Sequence, residues 1–201
     1  MTDQNPPPGL ALVTGANRGL GLEVSRQLLE RGYRVWMASR DLAKGRAAAE
    51  ELGLQGAEVL ELDVGSSRSI ENAVREIDRR GESLDVLVNN AGVHYDTWQQ
   101  PSAPDFEIVD EAWRTNALGP WHLTGALAPQ LRRSKHGRVV NVSSGAGALS
   151  SMGGGTPAYS VTKAALNAVT RLFADELRTD GVLVNSVCKG WEAPAKGGGG
   201  R

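Results

Sequence analysis

Short apolar runs alternate with longer segments of helical spacing along most of the chain. Leu10-Ala11-Leu12-Val13 is the first such run, and after it Leu20, Val24 and Leu28 recur every four residues on one face. This predicts a buried strand at 10–13 and a helix running to about Arg31, with Gly32 as its stop. Further strands are predicted at 33–39, 57–62, 84–88, 138–142 and 182–187. Helices are predicted at 42–52, where Gly53 is the stop, and at 67–80, where Ile70, Val74 and Ile77 face inward. Residues 105–133 read as largely helical but broken near Asn116, because Gly119 and Pro120 disturb a continuous helix. A long helix starts at Pro157. Strands that alternate with helices build a parallel, doubly wound sheet, so the fold class is α/β: a Rossmann-type, three-layer α/β/α single domain.

The turn between the first strand and first helix is Thr14-Gly15-Ala16-Asn17-Arg18-Gly19-Leu20-Gly21. A helix start offers unpaired N–H groups and the positive end of the dipole, which suits a pyrophosphate. Glycines there let backbone and phosphate approach closely. Arg40 follows the second strand, and open α/β sheets bind ligands off the carboxyl ends of their strands. An acidic residue at that place would bond a ribose 2′-hydroxyl; an arginine suits a 2′-phosphate. Arg18 can approach the same phosphate, so the pair favours NADP(H) over NAD. Asp41 reads as the N-cap of the next helix. Asp63-Val64, after the third strand, suits adenine, with the carboxylate on its amine and the valine on its ring; Asp63 suits a turn cap equally well. Asn89-Asn90-Ala91-Gly92 follows the fourth strand and permits close approach of a ribose or nicotinamide; a plain turn is the alternative.

Length and composition narrow the class. A chain of 201 residues fits one domain with a single core. A net charge of −1 without a basic run argues against nucleic acid. Apolar runs of about five to seven residues fall far short of the roughly 20 needed to span a membrane. Residues 1–9 are polar and proline-rich, and read as a disordered lead-in without a signal-peptide pattern. Cys188 is the sole cysteine, which suits a reducing cytoplasm. Its apolar run (182–188) predicts a buried structural thiol rather than a nucleophile. No metal is expected. The stretch 93–104 looks irregular; His94 within it could serve as a proton donor near the site but reads more readily as a surface loop residue, as do His122 and His136.

The chemistry-bearing residues lie around the fifth strand. Ser143-Ser144 ends it, a glycine-rich loop over 145–157 follows, and Tyr159-Ser160-Val161-Thr162-Lys163 opens the last long helix. Residues four apart share a helical face. A phenol titrates near 10, and a neighbouring ammonium lowers that value by stabilising the phenolate. Such a phenol can give a proton to a carbonyl oxygen or take one back. A serine hydroxyl can hold the same oxygen. A helix that breaks at Asn116 can free a carbonyl for a proton-relaying water.

Taken together, Thr14-Gly15-x3-Gly19-x-Gly21, Asp63-Val64, Asn89-Asn90-Ala91-Gly92, Asn116, Ser144, Tyr159-x3-Lys163 and Asn185 resemble the short-chain dehydrogenase/reductase family in order and approximate spacing. The resemblance covers residues 10–188, the expected NAD(P)-binding domain, and is strongest to carbonyl-reductase-like members, whose NADPH pattern Arg18 and Arg40 match. It implies Tyr159 as acid/base, Lys163 as tuner of the phenol and anchor of ribose, Ser144 as oxyanion partner and Asn116 as relay. It implies a cofactor site of Gly15, Asn17, Arg18, Gly19, Leu20, Gly21, Arg40, Asp63, Val64, Asn90, Ala91, Gly92, Tyr159 and Lys163. The expected partner is a small carbonyl or alcohol substrate, with a homodimer through the helices that begin near Asn116 and Pro157.

The resemblance departs after the sixth strand. A Pro-Gly pair is usual in the family at that place; here it is Lys189-Gly190. Residues 189–201 read as a flexible tail, and the sequence as truncated relative to the family. The alternative is therefore a weak or inactive NADP-binding protein.

Overall fold

The computed structural model describes residues 9–53 and 55–188. Six strands, β1 (Leu10–Thr14), β2 (Arg34–Ser39), β3 (Ala57–Glu61), β4 (Val86–Asn89), β5 (Arg138–Ser143) and β6 (Leu183–Cys188), form one sheet in the order β3-β2-β1-β4-β5-β6. Every neighbouring pair is parallel. The helices between them are α1 (Gly19–Glu30), α2 (Leu42–Leu52), α3 (Ser67–Arg79), α4 (Phe106–Trp113), α5 (Gly119–Arg133) and α6 (Pro157–Glu176). This is the three-layer α/β/α arrangement expected from the alternation of apolar runs.

Side chains of a strand point alternately to the two faces of a sheet. Leu10 and Leu12 of β1 therefore pack with Ile70 and Ile77 of α3, Leu123 and Leu127 of α5 and Phe173 of α6. Ala11 and Val13 pack on the opposite side with Leu29 of α1 and Ala48 of α2. Strand order reverses direction between β1 and β4, and the crevice at their carboxyl ends is where such sheets bind ligands.

Local signals set the helix ends. Asp41 caps α2 by accepting a hydrogen bond from the Lys44 N–H at 3.0 Å. That bond, with the Lys44 side chain beside it, holds the Asp41 carboxyl below its ordinary range. Gly53 closes the same helix in a left-handed conformation. The break expected near Asn116 is a π-helical turn, Arg114–Leu118, between α4 and α5. Such a turn carries one more residue than an α-turn and is common at functional sites.

Two expectations are corrected. Gly9 was assigned to the lead-in, but its carbonyl accepts the Arg34 N–H at 3.0 Å, which joins it to the sheet. The remaining lead-in and the tail at 189–201 lie outside the described residues. Cys188 is exposed rather than buried. It ends the edge strand β6, where Val184 is covered but Leu183 and Val187 are 53% and 43% exposed. An apolar run signals burial only if something packs on it, and among the described residues nothing shields these side chains.

Candidate active site

The glycine turn is shaped by its neighbours. A Cβ on Gly21 would collide with the Gly15 carbonyl and the Asn90 amide, so only glycine lets α1 start this close to β4. Thr14 and Asn90 stitch the two loops together. Thr14 Oγ1 accepts the Asn90 and Ala91 N–H groups at 2.9 and 3.0 Å, and Asn90 Nδ2 donates to the Thr14 carbonyl at 2.8 Å. Gly19 opens α1 at φ 55°, and a Cβ there would meet nothing within 4 Å. The turn is thus rigid behind and open in front, at a helix N-terminus. Asn17 is half-buried, and Leu20 packs its side chain into the core, which leaves backbone N–H groups to face the opening.

The Ala16 N–H donates to the Ala38 carbonyl at 3.0 Å, so the turn lies against the end of β2. Arg18 and Arg40 consequently stand at the same end of the sheet, and both are exposed. Asp63 bends back on its own loop: Oδ1 accepts the Gly65 N–H at 2.9 Å. Turn closure, one of its two sequence readings, is realised in the structure. Val64 beside it is buried.

Tyr159 and Lys163 share the inner face of α6. Lys163 is only 3% exposed. Its Nζ donates to the Val142 carbonyl of β5 at 2.7 Å and lies 5.6 Å from the centre of the Tyr159 ring. Gly92 marks where the elements meet, since a Cβ there would be 3.1 Å from Asn116 Oδ1 and 3.7 Å from Lys163 Nζ. The structure therefore brings Gly92, Asn116, Lys163 and Tyr159 to one place at the carboxyl end of the sheet. Asn116 is fully buried in the π turn, and its amide engages the backbone of Val93 and the Thr162 hydroxyl.

Ser143 and Ser144 differ in setting. Ser143 is buried, its hydroxyl 3.5 Å from the Lys163 carbonyl. Ser144 is half-buried and accepts the Ala146 N–H at 3.2 Å, capping a short 3-10 turn, Gly145–Gly147. That turn lies tightly on α6, with Asn167 Nδ2 donating to the Gly147 carbonyl at 3.2 Å. Ser144 is the more open of the two hydroxyls.

Asp96 escaped the sequence reading, whereas His94 is exposed on its loop, as that reading has it, and also stands beside the site, as its alternative has it. His94 stacks on Tyr159 with ring centres 4.1 Å apart and planes 23° apart. Asp96, 1% exposed, accepts the Tyr159 N–H at 3.2 Å. Both come from the stretch without periodicity. The one available signal was the start of α6, where Pro157 follows Thr156 and a partner for the helix N–H groups had to come from somewhere.

A match to the short chain dehydrogenase family model spans residues 9–194. The chain belongs to the short-chain dehydrogenases. The 3-oxoacyl-acyl-carrier-protein reductase FabG of Staphylococcus epidermidis is 33% identical over 186 residues, which cover 90% of this chain and 74% of that one. A metagenomic short-chain oxidoreductase solved with NADP superposes with a TM-score of 0.81 at 33% identity, covering 92% of this chain and 83% of that one. The NADPH-bound carbonyl reductase from chicken fatty liver superposes at 0.83 with 25% identity, covering 90% and 75%.

A buried polar ladder backs the site in this short-chain dehydrogenase. Asn89 Nδ2 donates to Thr124 of α5 at 3.1 Å and to Asn141 Oδ1 of β5 at 2.7 Å. Asn141 Nδ2 donates to the Thr170 hydroxyl of α6 at 2.8 Å. Buried polar groups paired in this way hold a specific arrangement of strands and helices. Among the described residues, no helix is long and apolar enough to cross a membrane.

Proposed function

We propose that this short-chain dehydrogenase is an NADPH-dependent oxidoreductase acting between a carbonyl compound and its alcohol, in the manner of a carbonyl reductase. The observation that carries the reading is the convergence of Lys163 and Asn116 on Gly92, with the Tyr159 ring centre 5.6 Å from Lys163 Nζ, beside a glycine turn at a helix N-terminus. The open face of Gly19 and the unshielded guanidinium groups of Arg18 and Arg40 fit a dinucleotide with an extra phosphate. The relatives solved with NADP and NADPH support the same cofactor.

When bound, NADPH supplies the hydride. Arg18 and Arg40 would hold its 2′-phosphate, and the turn from Gly15 to Gly21 would face its pyrophosphate. The second oxygen of Asp63, with Val64, is assigned to adenine, and the loop from Asn90 to Gly92 to the nicotinamide half. Tyr159 gives its phenolic proton to the carbonyl oxygen while the Ser144 hydroxyl donates a hydrogen bond to that oxygen. Lys163, its Nζ 5.6 Å from the centre of the Tyr159 ring, is assigned to tune the phenol and would anchor ribose. Because the Asn116 side chain is spent on Val93 and Thr162, its relay role falls to a backbone carbonyl of the π turn.

A cytoplasmic setting and a homodimer belong to this proposal. Trp121 of α5 and Val161 and Leu172 of α6 are 48%, 55% and 60% exposed, which suits a second copy packing on these helices; light scattering checks it.

The deciding experiment follows NADPH absorbance with a panel of ketones, aldehydes and quinones. Consumption of NADPH matched by alcohol product is expected. Tight NADPH binding without turnover of any carbonyl compound would favour a cofactor-binding role, and failure to bind NADPH would overturn the proposal.

A further inference from the structure

We propose that Asp96 is a positioning residue for Tyr159, acting through a segment, 93–96, that is clamped at both ends. The inference rests on the reading of Tyr159 as proton donor and adds a residue through which that donor is held.

The start of α6 lacks a cap of its own. Thr156 occupies the N-cap position at φ 51°, a left-handed conformation, and its side chain makes no capping bond. Pro157 has no N–H to offer or to satisfy. The Tyr159 N–H is one of the groups left over, and Asp96 Oδ2 accepts it at 3.2 Å from 63 residues earlier in the chain. The carboxylate also lies at the positive end of the helix dipole. Burying a carboxylate is costly unless hydrogen bonds compensate it, and Asp96 is 1% exposed. This placement is the one that gives α6 its missing cap.

The other end of the segment is fixed as firmly. Asn116 binds both backbone groups of Val93, at 2.8 and 2.9 Å. Beyond Asp96 a tight turn closes, with the Gln99 N–H donating to the Asp96 carbonyl at 3.1 Å. His94 lies between the clamps and stacks on the Tyr159 ring. Tyr159 is therefore gripped twice by one short segment: its backbone by Asp96 and its ring face by His94. The same segment continues directly from Gly92, so it ties the loop assigned to the nicotinamide half to the proton donor.

The test compares Asp96→Ala with Asp96→Asn, which keeps the shape and one acceptor oxygen. The first readout is kcat against a reactive ketone, alongside the dissociation constant for NADPH. The second is the His94 C2–H proton resonance, assigned by its loss in His94→Gln, which reports the ring stack whether or not the enzyme turns over. For Asp96→Ala, kcat is expected to fall about 10- to 100-fold, as a small misplacement of a reacting group produces, with NADPH affinity held within about threefold. The His94 resonance should move toward its position in unfolded protein. Asp96→Asn should keep the resonance in place and most of the turnover. If the alanine variant does not fold, the asparagine variant decides alone: retained stacking and turnover support the clamp, and loss of either overturns it. Wild-type kcat and resonance in Asp96→Ala would overturn it, as would equal damage from both substitutions, which would point to charge and not to the hydrogen bond. If the unmodified chain reduces no carbonyl compound, the reading of Tyr159 fails, and the His94 resonance still tests the clamp.

Discussion

Asn116 and Val93 are joined by a two-way amide pair: the Asn116 Oδ1 accepts the Val93 N–H, and its Nδ2 donates to the Val93 carbonyl. The pair satisfies both backbone groups of buried Val93 as the chain leaves β4. A leucine at 116 would fill the volume and orphan both. Each buried group left unpaired costs about 1–3 kcal/mol, so Asn116→Leu should lose about 2–6 kcal/mol of stability. Urea unfolding measures it; an unchanged midpoint would mean that water replaces the amide.

Tyr159→Phe removes the phenolic oxygen and keeps the ring that stacks on His94. Turnover should fall by at least about a hundredfold while NADPH affinity stays near the unmodified value, because the lost interaction belongs to the transition state. Lys163→Ala should harm both, since Lys163 is assigned to ribose as well as to the phenol. Equal rates for the Phe variant and the unmodified chain would remove Tyr159 from the mechanism.

Cofactor choice is assigned to Arg18 and Arg40. Charged hydrogen bonds are worth about 1.5–3 kcal/mol each, so NADPH should bind at least about tenfold more tightly than NADH. Arg40→Asp should reverse the order by repelling the 2′-phosphate and accepting from a 2′-hydroxyl. Titrations of nicotinamide fluorescence with both cofactors give the comparison, and equal affinities in the unmodified chain would count against the assignment.

Cys188 is exposed on the edge strand. In native buffer a disulfide reagent such as Ellman's should therefore label one thiol per chain as readily as in denaturant. Protection that is lost only on unfolding would show the edge to be covered in solution.

Much of this architecture is legible in the sequence. The bounds of α2 follow from Asp41 and Gly53 alone, because an N-cap and a C-terminal glycine act within a few residues of themselves. The convergence of Gly92, Asn116, Tyr159 and Lys163 was legible through resemblance and parallel-sheet topology, which send the loops after β4 and β5 to one edge. Three features were not. The break at Asn116 was visible in Gly119 and Pro120, but its π form depends on how α4 and α5 pack. The exposure of Cys188 depends on what lies over β6, which an apolar run does not encode. Asp96 and His94 act across 63 and 65 positions, from a loop with no period, and only tertiary structure brings them to Tyr159.

The strand order also bears on how the chain assembles as it is made. Residues 10–61 contain β1, β2 and β3, which can pair with one another as soon as they emerge. The other edge of β1, from Ala11 to Val13, must wait for Val86 to Val88. Until then that edge is an unpaired row of N–H and C=O groups on a nascent half-sheet, open to pairing with another chain. The interval between β3 and β4 is therefore the window in which a chaperone would have most to protect.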